Sequence, residues 1–369
     1  MPCDRSLPPT AILTYLNQLV HPLIDKGEVY GMAVGMLTPD GKTQVFGFGR
    51  TGTGNGRQVL NGNTIFQIGS LSKLFISSLL VMLVADGTLH YEDTLRSILP
   101  SEVELSPEAG RITLLELATH TSGLPREPHS LTQLGYLIRY GFTGENLYEY
   151  LDRNTAYEYL RTWRPSAGTE RRYRYSNLGA GLLGHLIEVK TGKALPELMA
   201  TRISRPLGLR DTVFELNPEQ RTRLATGHAG EEPFFMLRNS DVPAWDLGEF
   251  MRAAGGIYST ANDMLIFTKA SLKLLGSSLD EVLASAHRIG FDGDDGYLAE
   301  GWLIDYRKSY IGTVVYKHGL IAGYTSYVGM QPVHKVAVVA LQNSFNWKDR
   351  VGHNLLLCLA SRYAAAGSE

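Results

Sequence analysis

The strand-like segments of this chain lie at its two ends, and that separation constrains the fold more than any other feature. Near the N-terminus, Tyr30 to Leu37 and Thr43 to Phe48 flank Pro39-Asp40-Gly41, a turn whose glycine tolerates the positive φ that hairpins demand. Near the C-terminus, Gly312 to Tyr316, Tyr324 to Met330 and Lys335 to Gln342 repeat the pattern, rich in Val, Tyr or Thr and punctuated by Gly or Pro. The simplest assembly joins both sets in one antiparallel sheet.

Ile12, Leu16, Leu19, Val20, Leu23 and Ile24 recur at helical spacing, so an amphipathic first helix should end near Gly27. A last helix is expected from about Asn346 to Ala365, and the two terminal helices should cover the sheet. Between the ends, roughly Ile68 to Met251, helical patterns alternate with loops and include Leu114 to Thr119, Leu147 to Trp163 and Leu178 to Lys190. The fold class expected is α+β: one domain over 1–369, with a sheet-containing part at about 1–67 and 252–369 and a helical part at about 68–251.

A chain of 369 residues with 44% hydrophobic residues can bury a sizeable core. Its net charge of -2 gives no general attraction to nucleic acid or an anionic membrane surface, which favours a small-molecule or peptide partner. Cys3 and Cys358 alone can build neither a thiolate zinc cluster nor a disulfide framework. Met1 to Pro9 lacks the apolar core of a secretory leader, so the protein is expected to be cytoplasmic, or periplasmic or extracellular if a leader is missing. The longest apolar stretch, Leu74 to Ala85, contains Ser77 and Ser78 and falls short of the roughly 20 residues that span a bilayer. It reads as a buried helix, with no integral membrane segment expected.

Two motif matches fail on context. Gly47 to Gly52 matches GxGxxG, but more glycine and polar loop follow where a dinucleotide site needs a helix N-terminus. The acidic stretch Asp292 to Gly296 lacks the EF-hand ligand spacing and reads as a solvated loop. The chain has neither HExxH nor GxSxG, which counts against a zinc peptidase and an α/β-hydrolase. No metal or organic cofactor is implied.

The stretch QIGSLSKLF, Gln67 to Phe75, places Ser70 and Lys73 three residues apart at the start of that apolar run. Alone, Ser-x-x-Lys is expected about once by chance in a chain this long, and it reads equally well as a helix cap with a solvated lysine. In a helix beginning near Ser70 the two side chains share a face. Leu71, Leu74, Phe75 and Leu79 would shield the lysine, and desolvation disfavours its charged form, so it could take a serine proton. The helix N-terminus adds free N–H groups where an oxyanion would form. Two further elements stand out: Tyr175-Ser176-Asn177 entering a helix-like run, and YKHGLIAGY, Tyr316 to Tyr324, at the end of a C-terminal strand.

With SxxK, YxN and K-x-G in this order, about one hundred and then about one hundred and forty residues apart, the sequence resembles the serine β-lactamase and penicillin-binding-protein superfamily. Within it, the chain looks most like class C β-lactamases and their DD-peptidase and esterase relatives. The segments LLELATHTSGLP (Leu114 to Pro125), RPLGLRDT (Arg205 to Thr212) and GGIYSTANDM (Gly255 to Met264) extend the resemblance from about Gly31 to Arg350. It implies Ser70 as the acylated nucleophile, Lys73 as its proton partner, and Tyr175 as a base acting alone or sharing a proton with Lys73 and Lys317. Asn177 would bind the substrate's acyl-side amide, and Lys317 would face the substrate carboxylate. The N–H groups of Ser70 and Leu320 would form the oxyanion hole.

The chain departs from this pattern at Lys317-His318-Gly319, where the middle residue is usually threonine. An imidazole donates in a different direction and titrates near neutrality, so either carboxylate recognition changes or His318 points away and only its backbone matters. Asn346 and Arg350 fall near the family's carboxylate-recognition position, and Glu127 replaces a common glutamine and could repel an anionic substrate. Arg161, Arg164, Arg171, Arg172 and Arg174 could steer acidic peptides or form a solvated surface paired with acids such as Glu158 and Glu170. The activity implied is acyl-enzyme hydrolysis of D-alanyl peptides or β-lactams. The alternatives are a carboxylesterase on the same frame and a penicillin-binding sensor that is not catalytic.

Overall fold

A computed structural model describes residues 11–52, 58–166, 172–287, 290–293, 296–299, 302–305, 311–346 and 350–366. The central sheet is formed by β1 (Gly31–Leu37), β2 (Thr43–Gly49), β3 (Gly290–Gly293), β4 (Gly296–Ala299), β5 (Leu303–Asp305), β6 (Val314–Ile321), β7 (Tyr324–Gln331) and β8 (Val336–Gln342). These eight strands run antiparallel in the order β2-β1-β8-β7-β6-β5-β4-β3. The two chain ends do meet: β1 pairs with β8 from Met32 opposite Gln342 to Leu37 opposite Ala337.

Side chains alternate across this seam with the strand period of two. Met32, Val34, Met36, Val336, Val338 and Ala340 point into a core shared with α1 (Ala11–Asp25) and a C-terminal helix, Val351–Ala366. Ala33, Leu37, Ala337, Val339 and Leu341 point into the second, larger core beneath the helical region. Both faces are covered, and accordingly β1 and β8 are buried along their whole length.

The helical region contributes α2 (Ser72–Ala85) and α3 (Asn177–Thr191). Helix α2 is buried from Ser72 to Leu83, and Ser78 satisfies its hydroxyl by donating to the Leu74 carbonyl at 2.8 Å. Phe75 on α2 meets Phe267 with ring centroids 4.5 Å apart, locking the helix against Ala261–Ser271. None of the described helices is long and apolar enough to cross a membrane.

Four expectations need correction. The sheet gains β3, β4 and β5; of the stretch Asp292 to Gly296 expected as a loop, Asp292, Gly293 and Gly296 are strand residues, and 294 and 295 fall outside the described residues. Such short, Gly- and Asp-rich strands have little intrinsic propensity and depend on pairing. The Lys317-His318-Gly319 motif lies within β6, not at its end, because the strand continues to Ile321. The Leu147 to Trp163 run becomes helical only at Arg153, where Asp152 caps the helix by accepting from the Thr155 N–H at 2.8 Å. The final helix begins at Val351.

Candidate active site

A short ladder, Ile65–Gln67 against Tyr258–Thr260, delivers the chain to Ser70. Gln67 anchors it through its side chain, donating to the Trp245 carbonyl at 2.6 Å and accepting from the Trp245 N–H at 2.9 Å. Ser70 then sits in a single tight turn, Gly69–Leu71, that runs directly into α2. Gly69 has φ +50°, a conformation side chains resist, and a β-carbon there would stand 3.1 Å from the Leu320 nitrogen. Gly319 is tighter, since a β-carbon would lie 2.3 Å from the Ile68 oxygen and 2.4 Å from Ser326 Oγ. The two glycines therefore let β6 touch the serine-bearing turn backbone to backbone, and Ser326 Oγ donates to Ile68 O at 2.8 Å across that contact.

The pairing of β6 with β5 stops at Tyr316, so among the described residues Lys317 to Ile321 is paired on the β7 side only. A two-residue loop, Ala322-Gly323, closes the β6–β7 hairpin between Ile321 and Tyr324. Ladder alternation then turns the Leu320 N–H away from β7 toward the open edge beside Ser70.

Ser70 Oγ lies 2.6 Å from Tyr175 Oη and 3.2 Å from Lys73 Nζ. Lys73 Nζ also donates to Asn177 Oδ1 at 3.0 Å and to the Ala254 carbonyl at 2.6 Å. Burial, reinforced by Arg126 and opposed by Glu127, pushes the Lys73 ammonium well below its usual range. A neutral amine has two hydrogens and one lone pair. When the amine is neutral, the amide oxygen and the carbonyl, which can only accept, take both hydrogens and leave the lone pair for the Ser70 proton.

Tyr175 precedes α3, whose N-cap Ser176 accepts from the Gly179 N–H at 2.8 Å and donates to Pro125 O at 2.6 Å. Three basic groups face its ring: the Lys73 amine at 4.9 Å, the Lys317 ammonium at 5.2 Å and the Arg126 guanidinium at 5.7 Å from the centroid. Lys317 is buried, and its ammonium is lowered to about 8, chiefly by desolvation against the opposing pull of Tyr175. A cation there is retained at neutral pH and lost as pH rises through that value.

This geometry accords with the sequence comparison, in which a family model described as Beta-lactamase matches residues 16–361. The chain belongs to the β-lactamase family. It is 30% identical over 318 residues to the protein named D-alanyl-D-alanine-carboxypeptidase/endopeptidase AmpH of Escherichia coli, covering 82% of this chain and 76% of that one. It is 26% identical over 370 residues to a Beta-lactamase of Pseudomonas fluorescens, covering 90% and 94%. Among solved structures, a class C beta lactamase from Rhodobacter sphaeroides matches with a TM-score of 0.76 at 22% identity over 97% of this chain and 99% of that one. A beta-lactamase/D-alanine carboxypeptidase from Pseudomonas syringae matches at 0.77 and 18% identity, with coverages of 97% and 99%. The structural likeness shows the fold, and family membership makes the chain a serine hydrolase.

In this β-lactamase-family hydrolase the structure brings Ser70, Lys73, Tyr175, Asn177, Lys317 and the Leu320 main chain together, but the remaining candidates differ. His318 alternates to the opposite sheet face, its ring 5.1 Å from Tyr327 and 5.6 Å from Tyr316. Burial and the neighbouring His353 lower it to about 4, so it is neutral at pH 7 and offers its backbone, not its imidazole, to the site. Glu127 is buried and accepts from Asn177, Tyr148 and Arg126, which holds it in the site rather than leaving it a free repelling charge. Asn346 is buried beyond β8, its N–H donating to Thr325 Oγ1 at 2.9 Å. Arg350 is exposed, and its carbonyl accepts from the Asn354 N–H of the last helix. Arg161 pairs with Glu158 and Arg164 with Glu108, as a solvated surface would, while Glu170 and Arg171 fall outside the described residues.

Sequence reasoning missed His120, Arg126 and Tyr148. His120 has φ +59°, its carbonyl accepts from the Arg174 N–H at 2.7 Å, and its Nδ1 accepts from the Ser176 N–H at 3.3 Å. It thus holds the chain on both sides of Tyr175 and lies against that ring at 4.6 Å. Burial and the two lysines push its pKa well below the ordinary value, which keeps Nδ1 an acceptor. His120→Ala should lower Ser70-dependent hydrolysis roughly tenfold, mainly in kcat. His120→Asn, which tolerates the left-handed backbone and retains an acceptor, should recover part of that loss in steady-state assays.

Proposed function

We propose that this chain hydrolyses D-alanyl peptides or β-lactams through an acyl-enzyme on Ser70. The observation that carries the reading is Lys73, whose other two partners are pure acceptors, so that its lone pair faces the Ser70 hydroxyl. In the forward step the Ser70 proton passes to Lys73 as Oγ bonds to the substrate carbonyl carbon. The resulting oxyanion is received by the N–H groups of Ser70 and Leu320, each such donor contributing roughly 2.7–4 kcal/mol of transition-state stabilisation. Tyr175, at 2.6 Å from Oγ, relays the proton to the leaving nitrogen as the acyl bond breaks. Water then attacks the ester, and the same groups return the proton to Oγ. Lys317 supplies positive charge for a substrate carboxylate. The name of the Escherichia coli relative, a D-alanyl-D-alanine carboxypeptidase/endopeptidase, supports the peptide substrate, and that of the Pseudomonas fluorescens relative supports the β-lactam.

A carboxylesterase is the second reading, favoured by one feature: with His318 turned to the far face, β6 offers a substrate carboxylate no side-chain hydroxyl at that position. Intact-mass measurement over time with benzylpenicillin, using Ser70→Ala as control, separates the two. A Ser70-dependent penicilloyl adduct or its turnover is expected. An intact drug with no adduct, alongside Ser70-dependent cleavage of short-chain esters, would transfer the assignment to the esterase.

The pH dependence follows from Lys317 at about 8. Its cation is complete below that value and is lost above it, so kcat/KM for an anionic substrate should fall above pH 8, approaching about tenfold per unit. For a matched neutral ester the fall should be smaller, and the ratio of the two rates is the quantity to record.

A further inference from the structure

Asn177 reaches the site with no amide hydrogen to spare. Its Oδ1 accepts from Lys73, while Nδ2 donates to Tyr148 Oη at 2.7 Å and to Glu127 Oε1 at 3.2 Å. The amide orientation is chemically enforced, since the reverse would set Oδ1 against a carboxylate and Nδ2 against an amine. Tyr148 donates its own proton to Glu127 Oε1 at 2.6 Å, and burial together with Glu127 keeps this phenol protonated by raising it well above its usual range. Arg126 Nε donates to the same oxygen at 3.2 Å.

Three donors therefore converge on Glu127 Oε1, whereas among the described residues Oε2 takes none, and the side chain keeps 10% exposure. The wall on the acyl side of Ser70 thus presents one acceptor, Glu127 Oε2, beside the exposed Arg126 guanidinium. Both Asn177 N–H groups are already spent. A substrate whose acyl side carries an acylated amine brings a carbonyl oxygen to this wall and must displace Tyr148 or Glu127 to bind Asn177. One that carries a protonated amine brings donors that Glu127 Oε2 can accept, and leaves the Asn177 contacts in place.

We propose that Glu127 and Tyr148 form a recognition site for a protonated amine, so that the preferred acyl donors are short peptides or amino-acyl groups with a free amino terminus. The inference rests on the acyl-enzyme reading of Ser70 and adds its acyl-side specificity. Glycyl-D-alanyl and D-alanyl thioesters, each with a free amine and as the N-acetyl derivative, form the test. The free amine should be favoured by tenfold or more in kcat/KM, with most of the difference in KM. Glu127→Gln should bring the ratio toward one, and Tyr148→Phe, which frees an Asn177 N–H, should raise the N-acetyl rate. A wild-type ratio of one or below overturns the proposal without any variant having to fold, and so does a ratio unchanged in Glu127→Gln. Ser70→Ala keeps the two readings apart: if it still cleaves the thioesters, the acyl-enzyme reading fails, whereas Ser70-dependent cleavage without amine preference removes only the specificity.

Discussion

The structure depends on a lysine amine taken out of water. Lys73 is only 3% exposed, and its nitrogen is divided among three elements: Ser70 of the tight turn, Asn177 at the start of α3, and Ala254 in the helix Gly248–Gly255. Burying an ammonium costs several kcal/mol even after relaxation, so burial shifts Lys73 toward the uncharged amine. The same contacts that close the helical core around α2 thereby prepare the proton acceptor. Packing and chemistry are one arrangement here, and an amine exposed on a solvated helix face would have served neither.

A second constraint is the approach of β6 to the serine turn. Gly69 and Gly319 meet where neither can carry a side chain, one for its positive φ and its contact with Leu320, the other because the Ile68 carbonyl occupies the space. The approach is what aims the Leu320 N–H at the carbonyl to be attacked. Since β6 belongs to the sheet that joins the chain ends, the two main-chain donors come from residues 250 positions apart in sequence. The sheet, and not the local motif, holds them at working distance.

Much of this was legible in the residues. Alternation revealed the terminal strands and their pairing, and the apolar neighbours of Lys73 revealed its burial. The orientation of His318 stayed open between two readings, because the strand expected from the sequence stops at Tyr316, and only its continuation to Ile321 places Lys317 and Gly319 on one face and His318 on the other. The strands β3, β4 and β5 were not legible, since Asp and Gly weaken the strand signal and each is recognisable only by pairing to its neighbour, β5 to β6, β4 to β5 and β3 to β4. His120 and Tyr148 were hidden for a different reason. Each acts through hydrogen bonds to residues 21 to 56 positions away, a tertiary relation with no local periodicity.

The central claim is that Lys73 is neutral and faces Ser70 with a lone pair. The most direct measurement is an NMR titration of lysine Cε resonances in the folded enzyme, with Lys73→Ala supplying the assignment. The account predicts a transition for Lys73 well below the ordinary lysine value of about 10.4. A Lys73 that titrates at that ordinary value in the folded protein would contradict it.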